Sequence, residues 1–282
     1  MKVRTVAVLG AGTMGHGIAH ASAASGFETR LYDVSELQLE RAHDAIGGIF
    51  NAGVERGKVS ADDARSGMMR LAATTDIGQA LAGADFIIES APERIDVKLK
   101  LLAEIDHHAP AHAVVATNTS ALSITEMAGA LARPSRVAGM HFFNPVHKMK
   151  LIEIVRALES SDETLETIEA VARTMGKETV LVREAPGFIT TRVNASIGNE
   201  AFYMLLEGVA SARDIDKALK LGLNHPMGPF ELVDLVGLDT RLSILEYLHR
   251  TLGEKYRPCP LLVQYVKAGR LGKKVGKGVY EY

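Results

Sequence analysis

Val6-Ala7-Val8-Leu9-Gly10-Ala11-Gly12-Thr13-Met14-Gly15 decides the fold. The first four residues are a short apolar run containing β-branched side chains, the pattern of a buried strand. Glycines follow at once. Gly17-Ile18-Ala19-His20-Ala21-Ser22-Ala23-Ala24 then reads as a helix of small residues, stopped by Gly26. Glu28-Thr29-Arg30-Leu31-Tyr32-Asp33 reads as a second strand. Strand, glycine turn, helix and strand make one βαβ unit.

The turn has the spacing G-x-G-x-x-G, and each glycine has a physical reason. Gly10 permits the tight turn. Gly12 lacks a Cβ, so a pyrophosphate can approach the backbone. Gly15 lets the helix pack closely on the strand. The helix that opens at Thr13 and Met14 offers unpaired N–H groups and a partial positive charge to phosphates. Asp33 follows Gly10 by 23 residues, close to the ~20 expected of a carboxylate that receives the ribose diol. It would repel a 2′-phosphate, and no arginine follows in Val34-Ser35-Glu36. The motif predicts a bound dinucleotide, NAD rather than NADP. A glycine turn without a ligand would not need the strand, helix and carboxylate to coincide.

Outward from this unit the alternation continues. Ser35 with Gln38, and Ser60 with Asp63, fit helix-start signatures. Strands are expected at Asp85–Glu89, Val114–Thr117, Val137–Phe143, Leu151–Val155 and Thr179–Val182, and a charged amphipathic helix at Val97–Asp106. Such alternation predicts an α/β architecture, a mostly parallel, doubly wound sheet of Rossmann type. Glu184-Ala185-Pro186-Gly187 is a strong breaker. Beyond it only helical patterns remain, over 188–208, 212–221, 230–236 and 240–252. The expected domains are a dinucleotide-binding domain, 1–184, and an all-α C-terminal domain, 185–282.

The composition narrows the function. The chain has 282 residues, a formal net charge of -2 and a single cysteine. A general nucleic-acid binder or polybasic membrane binder needs a basic excess. One thiol, Cys259, makes neither an intrachain disulfide nor a multi-thiolate metal site. No run approaches the ~20 apolar residues of a membrane helix, and the first apolar run is too short for a signal peptide. The composition predicts a cytoplasmic protein, with no nucleic acid, no membrane and no metal.

Several further motifs stand in order: Asn118-Thr119-Ser120, His141-Phe142-Phe143-Asn144-Pro145, Glu153, Pro186-Gly187-Phe188, Pro226-Met227-Gly228-Pro229-Phe230-Glu231-Leu232, Gly237-Leu238-Asp239 and Gly272-Lys273-Lys274-Val275-Gly276. With the glycine loop they carry a resemblance over essentially the whole chain. The sequence resembles the short-chain L-3-hydroxyacyl-CoA dehydrogenases of the bacterial 3-hydroxybutyryl-CoA type.

The resemblance implies oxidation of a 3-hydroxyacyl-CoA by hydride transfer to NAD, with the reverse reduction, in a homodimer formed through the helical domain. His141 matches the catalytic base, and imidazole suits proton removal near neutral pH. Glu153 matches its orienting carboxylate. The twelve residues between them suit two strand segments joined by a turn through Asn144-Pro145, which would let the pair meet. Ser120 matches a serine that hydrogen-bonds the substrate oxygen. Asn118, Asn144, Glu93, Lys98 and Lys274 match cofactor contacts, and Lys58 aligns loosely with a CoA-phosphate contact.

The family stretch P-G-F-x-x-N-R departs here, with Thr191 at the asparagine position. Asn194, three residues on, is a substitute candidate on the same helical face. This departure leaves open the same chemistry on a non-CoA hydroxy acid or alcohol. A catalytically silent NAD-binding structural or sensory protein is the reading from another class, and the presence of Ser120, His141 and Glu153 opposes it. His16 and His20 lack the H-E-x-x-H context and read as surface residues. His107, His108 and His112 flank Pro110 and read as a helix end and loop.

Overall fold

The computed structural model describes residues 2–282. The chain divides into two compact units, Met1–Glu184 and Ala185–Tyr282.

The opening stretch forms β1 (Thr5–Leu9), α1 (Thr13–Ala24) and β2 (Glu28–Tyr32). The elements that follow are α2 (Glu36–Glu55), α3 (Ala61–Met69), β3 (Leu71–Thr74), α4 (Ile77–Leu81), β4 (Phe86–Glu89), α5 (Ile95–His108), β5 (Val114–Thr117) and α6 (Ile124–Ala128). The first unit ends with β6 (Val137–Phe142), β7 (Leu151–Arg156), α7 (Asp162–Thr174) and β8 (Glu178–Arg183).

These strands make one eight-stranded sheet in the order β3-β2-β1-β4-β5-β6-β7-β8. Every pairing is parallel except β6 with β7. The architecture is therefore a Rossmann-like sheet followed by a helical C-terminal part. Strand order reverses at β1 and β4, so the loops after these two strands diverge. An α/β sheet receives its ligands at such a switch point, beyond the carboxyl ends of the strands.

Strand alternation explains how both faces are covered. Val6, Val8, Phe86, Ile88, Ala138 and Met140 join one core with Ile18, Ile46 and Ile168 from α1, α2 and α7. Ala7, Leu9, Ile87 and Val115 have the opposite parity and are also buried, as are Leu102, Ile105, Ile124 and Met127 of α5 and α6. Each fully buried side chain of this size contributes about 1.5–3 kcal/mol. Continuous burial of β4 and β5 is why they read as unbroken apolar runs.

The sequence reading does not place α4, α6 or α7; β3 and the cap of α2 depart from it for simple causes. β3 went unforeseen because Leu71-Ala72-Ala73-Thr74 is a short, half-exposed edge strand with no apolar run. Ser35 caps α2 through Gln38 N–H, but its own N–H is taken by Asp33 Oδ1 at 3.0 Å rather than by the Gln38 side chain.

The second unit contains α8 (Thr190–Leu206), α9 (Ala212–Gly222), α10 (Pro229–Val236), α11 (Leu238–Leu252) and α12 (Pro260–Lys267). Phe202, Phe230, Val233, Leu245, Leu248 and Leu262 form its core. α12, with Pro260 at its first position, was not anticipated because Pro258-Cys259-Pro260 reads as a break. A proline at N1 in fact starts a helix well. No helix among the described residues is long and apolar enough to cross a membrane.

Candidate active site

Backbone sterics build the glycine loop. Gly10 has φ +104, and a Cβ there would lie 2.6 Å from the Ser90 carbonyl oxygen. A Cβ on Gly15 would lie 1.7 Å from the Gly10 carbonyl oxygen, so this glycine is what closes α1 onto the turn. Gly12 is different, because a Cβ there meets nothing within 4 Å. Open space at Gly12, beside a helix start that no side chain caps, fits a pyrophosphate received on backbone amides. Asp33 accepts Ala11 N–H on Oδ2 at 2.8 Å and Ser35 N–H on Oδ1 at 3.0 Å. It thus stitches the glycine loop to the start of α2. A carboxylate has about four acceptor positions, so these two bonds leave capacity for a ribose diol.

The β6–β7 pair places His141 directly opposite Glu153. Opposed residues on an antiparallel ladder project to the same face with Cβ atoms ~5 Å apart. Here His141 Nδ1 lies 2.7 Å from Glu153 Oε2, with side-chain exposures of 7% and 0%. An ionised carboxylate only accepts, so Nδ1 carries the proton in this pair. Phe143 packs against the imidazole with ring centroids 4.6 Å apart. Asn118 holds the end of β6, its Oδ1 accepting Phe142 N–H at 2.9 Å. Its amide nitrogen reaches Ser90 Oγ at 3.4 Å. Asn144 is exposed in the following turn.

A polar network beneath the ends of β4 and β5 went unseen in the sequence. Glu89 is completely buried. Its carboxylate takes Thr117 Oγ1–H at 2.6 Å, Ala91 N–H at 2.7 Å and, on its two oxygens, the Lys98 ammonium at 2.8 and 2.9 Å. Lys98 Nζ also reaches the Ala91 carbonyl at 3.2 Å and stands 3.6 Å from Glu93 Oε2. Glu93 Oε1 in turn accepts Thr119 Oγ1–H at 2.6 Å, Ser120 N–H at 2.8 Å and Ala121 N–H at 3.2 Å. Lys98 was expected as a direct cofactor contact, but its side chain is 0% exposed and sealed against Glu89. The acid at the end of Phe86-Ile87-Ile88-Glu89 was the available signal. A charged residue closing an all-apolar buried strand needs a partner.

His20 is also a correction. It is not a surface residue: its ring lies 4.4 Å from that of Phe50, and Nδ1 is buried without a hydrogen-bond partner among the described residues. Burial, then the neighbouring His147, Lys177 and His16, lower its pKa to about 4. His16 places Nδ1 3.0 Å from the Gly12 carbonyl. Lys58 is exposed in the turn between α2 and α3.

Three expected site residues lie in the helical unit. Thr191 and Asn194 are half-buried in the first turns of α8. Lys274 Nζ is bound to both Asp239 oxygens, at 2.6 and 2.7 Å.

Residues 5–185 match the model of the 3-hydroxyacyl-CoA dehydrogenase NAD binding domain, and residues 187–282 match that family's C-terminal domain. The chain belongs to the 3-hydroxyacyl-CoA dehydrogenase family. Family membership makes it an NAD-dependent oxidoreductase. A probable 3-hydroxybutyryl-CoA dehydrogenase of Bacillus subtilis is 45% identical over 100% of this chain and 98% of its own length. A 3-hydroxybutyryl-CoA dehydrogenase of Bradyrhizobium diazoefficiens is 42% identical, covering 99% and 96%. Among solved structures, an (S)-3-hydroxybutyryl-CoA dehydrogenase of Ralstonia eutropha superposes with a TM-score of 0.95. It is 40% identical and covers 100% of this chain and 99% of the other.

Proposed function

We propose that this dehydrogenase oxidises a short-chain (3S)-3-hydroxyacyl-CoA such as 3-hydroxybutyryl-CoA to the 3-oxo thioester, and runs the reverse reduction. The observation that carries the reading is the buried His141–Glu153 pair. It is an oriented base of the kind that alcohol oxidation requires. Bound NAD supplies the hydride acceptor.

His141 takes the hydroxyl proton on Nε2. Glu153 fixes the tautomer and stabilises the imidazolium that forms, as an orienting acid does in a triad. Ser120 holds the reacting oxygen. Gly10, Gly12, Thr13, Met14 and Gly15 receive the pyrophosphate, and Asp33 the ribose. Asn118 and Asn144 serve the nicotinamide end, and Glu93 supports it from the loop after β4. Lys58 in its exposed turn is suited to a CoA phosphate. Thr191, with Asn194 beside it, takes the substrate carbonyl, and Lys274 serves the cofactor once freed from Asp239. The protein works in the cytoplasm as a homodimer. Exposed Leu206, Val209, Leu221, Leu223 and Leu235 of the helical unit support association.

The test is initial-rate NADH formation with (S)-3-hydroxybutyryl-CoA, the free 3-hydroxy acid and a simple secondary alcohol. The thioester should be turned over and the other two ignored. Equal turnover of the free acid, or NADH binding without any turnover, would overturn the reading.

A further inference from the structure

We propose that Glu89 and Lys98 are positioning residues that set the backbone at Ser120 through Glu93. The inference deepens the function above and rests on the role given there to Ser120.

The geometry forms one chain of contacts. Lys98 carries the only positive charge of the network and stands between two carboxylates. Three of its contacts are hydrogen bonds, two to Glu89 and one to the Ala91 carbonyl. The fourth is a looser ion pair at 3.6 Å to Glu93 Oε2. That distance leaves Glu93 attracted to Lys98 but not captured by it. Its other oxygen, Oε1, is committed to Thr119 Oγ1 and the N–H groups of Ser120 and Ala121. Three donors on one oxygen fix the path of the chain at residues 119–121, and so fix where the Ser120 hydroxyl is carried.

Glu89 is what keeps the balance. It is wholly buried, and it accepts Thr117 Oγ1–H and Ala91 N–H besides the ammonium. Thr117 ends β5 three residues before Ser120, so both ends of the loop lead to the same pair of charges. A buried ion pair is a poor way to gain stability, because desolvation offsets most of the attraction. A fully satisfied buried network does rigidify its surroundings. Rigid placement of the loop is what this one supplies. With Glu89 neutralised, the ammonium retains one anionic neighbour, Glu93, and draws it away from the Ser120 amide.

The experiment is a double-mutant cycle in the full-length enzyme, with Glu89→Gln, Ser120→Ala and the pair, read by (S)-3-hydroxybutyryl-CoA kinetics and by NADH affinity. Glu89→Gln should lower kcat about tenfold or more while NADH affinity, which Glu93 also serves, falls by less than kcat, and the pair should be no slower than Ser120→Ala, because coupled sites are non-additive. Multiplicative losses, unchanged kcat, or a NADH affinity that falls as much as kcat would overturn the inference. Thr119→Val, which removes one hydroxyl from the clamp at nearly constant shape, must show the same non-additivity should Glu89→Gln not fold; a multiplicative loss there overturns it equally. A Ser120→Ala enzyme of normal activity would sink the Ser120 assignment itself. A slow Ser120→Ala enzyme with multiplicative Glu89→Gln sinks only the positioning role.

Discussion

Replacing Glu153 by glutamine tests the catalytic pair with little disturbance of its surroundings. The amide nearly matches the carboxylate in volume, and Glu153 lies mid-strand, held by ladder pairing to both β6 and β8. What changes is the charge 2.7 Å from His141 Nδ1. The Glu153 side chain is 0% exposed, so water does not screen that charge. A hydrogen bond to a charged group is worth about 1.5–3 kcal/mol. If all of it is felt as His141 becomes an imidazolium, then at 1.36 kcal/mol per tenfold kcat falls roughly 10–150-fold. His141→Ala removes the base and should cost roughly 10²–10⁴ in kcat. The double variant should be no slower than His141→Ala, because the carboxylate acts only through the imidazole. The assay is NADH absorbance at saturating cofactor and thioester, with thermal melts to confirm folding. A Glu153→Gln loss under about threefold, or a double variant slowed by the product of both factors, would refute the mechanism.

Further outcomes can be read on the same protein. Gly15→Ala should destabilise or unfold the first unit, since its methyl would meet the Gly10 oxygen at 1.7 Å, whereas Gly12→Ala should melt normally and lose NAD affinity; melting curves beside NAD titrations separate the two. Asp33→Ala should weaken NAD binding and narrow the discrimination against NADP, as measured by the ratio of kcat/KM for the two cofactors. Thr191→Asn should change acyl-CoA KM or kcat while leaving NAD affinity intact, as seen in paired titrations. His20 gives a pH signature. Its folded pKa of about 4 lies below the ordinary 6.5, so protons favour the unfolded chain. The full stability is present above pH ~6.5 and declines as pH falls toward 4, by up to ~3 kcal/mol at 1.36 kcal/mol per pKa unit. His20→Phe should flatten the acid limb of a melting-temperature profile, and an unchanged limb would remove His20 as its cause.

Much of the fold was legible because its signals are local. The glycine loop states its own geometry, and strands buried on both faces appear as unbroken apolar runs. Elements lacking such a signal were lost. β3 has two alanines and an exposed edge, and α12 starts at a proline that also reads as a breaker. The position of His141 against Glu153 was accessible through period-two arithmetic, because an antiparallel turn between them brings opposed residues to one face.

Long-range polar pairing is where a one-dimensional reading stops. Glu89 and Lys98 are nine residues apart, and neither strand nor helix periodicity brings them together. A reader of the sequence sees a strand ending in an acid and a helix bearing a lysine, and assigns both to solvent or ligand. Only the packing of α5 under β4 makes them partners and seals Lys98 from solvent. His20 follows the same logic in reverse. Its helix neighbours are small residues, which looks like an open surface in the sequence. Phe50, thirty residues on, closes over the ring and leaves an imidazole that resists protonation. In both cases the side chain's chemistry was visible and its dielectric environment was not, since burial is decided by elements far away in the chain. The placement of Ser120 belongs to the same class. The motif Asn118-Thr119-Ser120 identifies the loop, yet what holds the loop in place comes from Glu93 and, behind it, a pair of charges that no local pattern announces.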